Sequence, residues 1–102
     1  MAHVVVMYKT PKDAAAFDKH YAETHIPLVK KIAGLRKYDI SHGPVVTPAG
    51  LSDYYLIATL YFDSLDAIKA GFGSPEGKAA GADVQKFATG GAEMFLFDTR
   101  DV

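Results

Sequence analysis

There is no cysteine among the 102 residues of the chain. Disulfides, thiolate metal sites and a cysteine nucleophile are therefore excluded. There is almost no net charge either, −1 at neutral pH. Nothing electrostatic draws the chain to nucleic acid or to an anionic membrane, and neither is expected as a partner. Lys30, Lys31, Arg36 and Lys37 form a small basic cluster, which reads as the solvated end of a helix. No apolar run approaches the length of a membrane span. The amino terminus lacks a charged segment followed by a long apolar one, so no signal peptide is expected and the cytoplasm is the expected location. A G-x-G-x-x-G after the first strand, a phosphate loop and a G-x-S-x-G elbow are all missing. Nicotinamide or flavin in a Rossmann site is disfavoured. No solenoid-period repeat or low-complexity tract occurs.

What is present is ordinary globular material. Hydrophobic residues make up 49% and charged residues 23%, and the length fits one domain over residues 1–102. "HVVVMYK", from His3, reads as a first strand. Asp13 is placed to cap a helix through "AAAFDKHYAET". Pro27 disfavours helical geometry at Ile26, so the helix is predicted to break near Thr24 and restart at Pro27. Gly34 can stop the second piece. "LRKYDISHG" reads as a second strand, "PVVTPAGLS" as a loop and "DYYLIATLYFD" as a third strand. Ser64 or Asp63 caps "LDAIKAGF", and Ser74 with Pro75 starts another helix, "PEGKAAGADVQKFA". "AEMFLFDTR" is a last strand. The order is that of an α+β, ferredoxin-like split β-α-β fold, a four-stranded antiparallel sheet with helices on one face.

The strands do not alternate as a half-exposed sheet should. From Tyr54 to Phe62 only Thr59 is neither apolar nor aromatic. Val4, Val6 and Tyr8 oppose Val5 and Met7, and Met94 and Leu96 oppose Phe95 and Phe97. Helices can cover one face. A second copy packed sheet against sheet is the economical cover for the other, giving a homodimer. An open apolar groove, or strands presenting tyrosine hydroxyls to solvent, is the alternative.

The candidate chemistry lies in "FDKHYAETHIPL". Tyr21 and His25 are four apart and share a helix face, and Phe17 extends that stripe. His20 and His25 are five apart, so a continuous α-helix sets them about 140° from one another. That spacing argues against a pair. Two roles fit His25: a buried imidazole that holds the helix break, or an acid, base or hydrogen-bond donor in an apolar pocket. His20 reads as solvated or partly packed, or as part of the same pocket, and Tyr21 as core. His3 and His42 are weaker candidates. No three or four ligands converge, so no metal is expected. An apolar pocket with few polar groups, Tyr8 and Tyr61 among them, suits a small organic molecule. A packed core would read the same way.

"FDKHYAETHIPLVKKIAGLRKYDIS" resembles the opening half of the EthD family, with its H-Y-x-x-x-H-x-P-L signature at His20, Tyr21, His25, Pro27 and Leu28 and its G-L at Gly34 and Leu35. The S-P-E-G at Ser74 to Gly77 and the F-A-x-G-G at Phe87 to Gly91 resemble the second half. The resemblance implies a ferredoxin-like protomer in a dimeric α/β barrel. The family is named for a gene cluster that degrades ethyl tert-butyl ether, and some members carry a reductase label. An EthD-like role implies binding or transforming a small apolar, cyclic or aromatic compound between helices and sheet, in xenobiotic or aromatic degradation. The family carries over no agreed mechanism; from the residues themselves, His25 would be the catalyst, with His20, Tyr21, Phe17, Tyr8 and Tyr61 around the ligand and no cofactor. The enzyme classes in view are a cofactor-independent isomerase, a cyclase and a monooxygenase or other oxidoreductase. A carrier without turnover and an accessory dimer serving an oxygenase system are the other readings.

Overall fold

Three short polar side chains set where the helices begin. Asp13 Oδ1 accepts from the Ala16 amide at 3.1 Å, Ser64 Oγ from Ala67 at 3.0 Å, and Ser74 Oγ from Gly77 at 3.1 Å. Each satisfies an amide that the first helical turn leaves without a partner. The computed structural model describes every residue from Met1 to Val102. Its order is β1 (Ala2–Lys9), α1 (Ala14–His20), α2 (Ile26–Lys30), β2 (Lys37–Ile40), β3 (Val46–Thr47), β4 (Gly50–Leu51), β5 (Tyr54–Phe62), α3 (Leu65–Gly73), α4 (Pro75–Phe87) and β6 (Ala92–Asp98). The segment expected as a plain loop carries the small β3–β4 hairpin.

The predicted break at Thr24 does not occur. The residues between α1 and α2, Tyr21–His25, continue the helix as a π turn. The Ile26 amide donates to the Tyr21 carbonyl, five residues back. A proline ring crowds the carbonyl one turn earlier and supplies no N–H. The widened turn gives Pro27 room without ending the helix. Gly34, at φ 84°, then turns the chain toward β2.

The main sheet is antiparallel, in the order β2-β5-β1-β6. Register puts Val4, Val6 and Tyr8 of β1 on the same face as Leu60, Ala58 and Leu56 of β5. That face carries the helices. Its buried side chains form one core with Phe17, Tyr21, Val29, Ile32, Ile68, Ala80 and Phe87. Full burial of a side chain such as Phe62 or Ile68 contributes about 1.5–3 kcal/mol. The molecule is only 18 Å thick, two layers deep. It is the ferredoxin-like α+β arrangement expected from the element order.

The other face has no cover from this chain. Val5 of β1 pairs across to Thr59 and Phe95, and His3 to Tyr61 and Phe97. Phe95 is 49% exposed and Phe97 39%.

Candidate functional site

Asp83 organises the site. It lies on α4 with Ala80 and Phe87, along the buried stripe of that helix. Its carboxylate, 3% exposed, receives two imidazoles. Its Oδ2 is 3.0 Å from His25 Nδ1, and its Oδ1 and Oδ2 are 2.9 and 3.0 Å from His20 Nε2. The five-residue spacing was expected to keep the histidines apart. The π turn overturns that expectation, because a turn closed by an i→i+5 bond brings residues five apart to one side.

The hydrogen bond to Asp83 fixes how His25 is protonated. A carboxylate only accepts, so Nδ1 carries the proton and Nε2 keeps its lone pair. Every enclosed side-chain nitrogen and oxygen in the molecule has a partner. Nε2 has none, so it opens onto the cavity that His25 lines. Burial pulls the His25 pKa below the ordinary 6.5, outweighing the upward pull of Asp83. The imidazole is therefore neutral at neutral pH. For Asp83, burial opposes ionisation, but the bonds from His20 and His25 outweigh it and hold the carboxyl below its ordinary 3.8.

The cavity has a volume of about 310 Å³ and lies between the sheet and the α2 and α4 helices. Val6 and Tyr8 of β1, Ala58 and Leu60 of β5, and Tyr38 of β2 form its floor. Tyr21, His25, Val29, Ala80 and Val84 form the helical wall. The hydroxyls of Tyr21 and Tyr38 are 2.5 Å apart. Aromatic rings back the site. Phe87 lies 4.7 Å from His25 and 5.2 Å from His20, and Phe17 stacks on Tyr21 at 5.7 Å, centroid to centroid.

Of the residues predicted to surround a ligand, His25, Tyr21 and Tyr8 line the cavity. His20 holds Asp83 from the solvent side, with 29% of its side chain exposed. Phe17 packs behind Tyr8 and Tyr21. Tyr61 is on the opposite face of the sheet, where its ring meets His3 and its hydroxyl donates to Asp39 Oδ2 at 3.1 Å. Strand alternation puts it there, between buried Leu60 and Phe62. His3 is also on that outer face, and His42 is exposed near the sheet edge. No cluster of three or more His, Asp and Glu side chains is placed to hold a metal ion.

Two site residues escaped the sequence reading. Asp83 carried a signal, an acidic residue on the same stripe as Ala80, Val84 and Phe87. Tyr38 stood among the strand hydroxyls with nothing to set it apart.

Comparisons with known proteins agree with this architecture. The EthD domain model matches residues 9–91. An uncharacterised 11.0 kDa protein from the thcB-thcC intergenic region of Rhodococcus erythropolis is 39% identical, over 100% of this chain and 98% of that protein. A crystal structure of an ethyl tert-butyl ether degradation (EthD) family protein from Bacillus halodurans is 34% identical. It superposes with a TM-score of 0.90 over 98% of this chain and 99% of that one. SnoaB, a cofactor-independent oxygenase from Streptomyces nogalater, shares the fold at 16% identity, with a TM-score of 0.68 over 99% of this chain and 94% of its own. With the signature histidines, the fold and a family model spanning most of its length in agreement, the chain belongs to the EthD family.

Proposed function

We propose that the cavity binds a small apolar compound, cyclic or aromatic, and that His25 moves a proton on it. One observation carries this reading: a neutral imidazole, its tautomer set by a buried carboxylate, turns its free lone pair into an apolar chamber. Such a group can accept a proton because burial keeps it unprotonated at neutral pH. The positive charge that follows forms 3.0 Å from Asp83, which offsets it. Isomerisation, cyclisation and oxidation by dioxygen without a bound cofactor all begin with such a step. The last is the class named for the Streptomyces nogalater protein. A place in aromatic or xenobiotic breakdown suits the apolar walls.

The protomer works as half of a homodimer in this proposal. The outer face, with His3, Val5, Phe95 and Phe97, is covered by the same face of a second copy. The cavity is on the helix side of the sheet, so each protomer keeps its own.

Binding is tested with a neutral phenylnaphthylamine dye, read by fluorescence. Saturable uptake of one dye per chain, lost in Gly81→Leu, supports the cavity as the site. Gly81 lines it, and a side chain there meets open space. Equal uptake by both proteins overturns it. Saturable binding of candidate compounds with no product from any of them would make the protein a carrier.

A further inference from the structure

Apart from Nε2 of His25, the cavity's uncharged polar side chains are phenols, and their protons outnumber the bonds they make. Tyr21 and Tyr38 bond to each other through their hydroxyls. Two hydroxyls in one bond use one proton, so the second remains free. Tyr8 is 1% exposed, yet its hydroxyl enters none of the molecule's hydrogen bonds. Every enclosed side-chain oxygen has a partner, so this hydroxyl also opens onto the cavity that Tyr8 lines. The Tyr8 and Tyr21 rings are 5.7 Å apart, and all three phenols line the one cavity. The lining carries no carboxylate, and Lys78, exposed at the rim, adds no acceptor. Burial raises the pKa of all three phenols, that of Tyr38 to about 12, so they keep their protons.

We propose that Tyr8 and the Tyr21–Tyr38 pair form an oxyanion site, and that the ligand is an apolar carbonyl compound with an enolisable C–H facing His25. This rests on the cavity being the ligand site. Two free phenolic protons face one free nitrogen acceptor, Nε2 of His25, and a ligand carbonyl oxygen supplies a further acceptor without adding a charge to an apolar chamber. The step is balanced. The C–H bond beside the carbonyl breaks and its proton goes to Nε2 of His25. The electron pair forms a carbon–carbon double bond, and the carbonyl π pair moves onto oxygen. The phenolic protons hold that oxyanion. They bind it more strongly than the ground-state carbonyl, which is what accelerates the step. Return of the proton to the same carbon gives exchange. Return to a conjugated carbon gives an isomer.

The experiment uses acetophenone and cumene, which have nearly the same shape and differ in the carbonyl. Binding is measured to the wild type, to a variant with Tyr8→Phe, Tyr21→Phe and Tyr38→Phe together, and to His25→Gln, each checked for native circular dichroism. Proton resonance in heavy water follows deuterium entry into the acetophenone methyl. The ketone should bind about tenfold more tightly than cumene, and the phenylalanine variant should lose that preference while holding cumene equally well. Methyl exchange should be catalysed by the wild type and by neither variant. Equal affinity for the two compounds overturns the oxyanion site and leaves the cavity standing. So does a ketone preference that survives in the phenylalanine variant, or one with no methyl exchange. Failure of both compounds and of the dye to bind removes the cavity reading, and this inference with it.

Discussion

His25 Nδ1 is 3.0 Å from Asp83 Oδ2, across 58 residues of chain. The bond joins the π turn to α4. It holds the imidazole in one tautomer, with Nε2 left as the acceptor.

Asp83→Asn keeps the shape and removes the charge. The amide no longer demands a proton on Nδ1, nor does it offset the imidazolium. Catalysed exchange of the acetophenone methyl should fall by roughly 10²–10⁴-fold, with dye binding little changed. Resonance-detected exchange at constant pH checks it. Undiminished exchange would mean that Asp83 only packs the helices.

Stability should fall in two stages on acidification. His25 has a folded pKa below its ordinary 6.5. As pH drops through 6.5 the unfolded chain takes a proton that the folded chain refuses, so stability declines from there. Asp83 has a folded pKa below 3.8. The stability it contributes is full above that value and is lost as pH falls through the lower, folded one. Melting temperatures from about pH 8 down to about pH 3 should show both slopes. His25→Gln should remove the first and leave the acidic decline.

Two glycines of α4 should respond in opposite senses. A Cβ on Gly77 would be 2.1 Å from the Gly71 carbonyl oxygen, where α3 and α4 touch backbone to backbone. Gly77→Ala should cost roughly 1–3 kcal/mol by forcing the helices apart. At Gly81 a Cβ meets open space. Gly81→Ala should stabilise by about 0.5–1 kcal/mol, the difference in helix propensity. Urea unfolding of the two variants compares them directly.

Light scattering at micromolar concentration should give twice the chain mass. Phe95→Glu with Phe97→Glu places charges on the uncovered face and should yield a folded monomer. A wild type that is already monomeric would remove the dimer.

Much of the fold was legible because each helix start is a local event. Asp13, Ser64 and Ser74 bind amides three residues ahead, and such spacing is written in the sequence. The uncovered outer face was legible too, since strand alternation separates Val5, Phe95 and Phe97 from the helix side. Tyr61 was misassigned by one residue of that alternation, its neighbours Leu60 and Phe62 being the buried ones. The pairing of His20 with His25 was hidden for a different reason. Fixed angular spacing assumes one helix type, and Pro27 was read as a stop rather than as a neighbour of a wider turn. Asp83 comes from a segment so distant that only the folded chain brings it to the imidazoles.

The π turn also changes what a sequence comparison should measure. An α-helix would bring residues four apart into line, so this turn amounts to one residue more than regular helix geometry requires. A relative that kept both histidines and the acid but lost one residue between the histidines would keep every letter of the site. An unbroken α-helix would then still set both imidazoles on one side, whereas a five-residue spacing in such a helix would swing one off the carboxylate. Among homologues, the count of residues between the two histidines therefore has to be read together with the width of the turn that holds them.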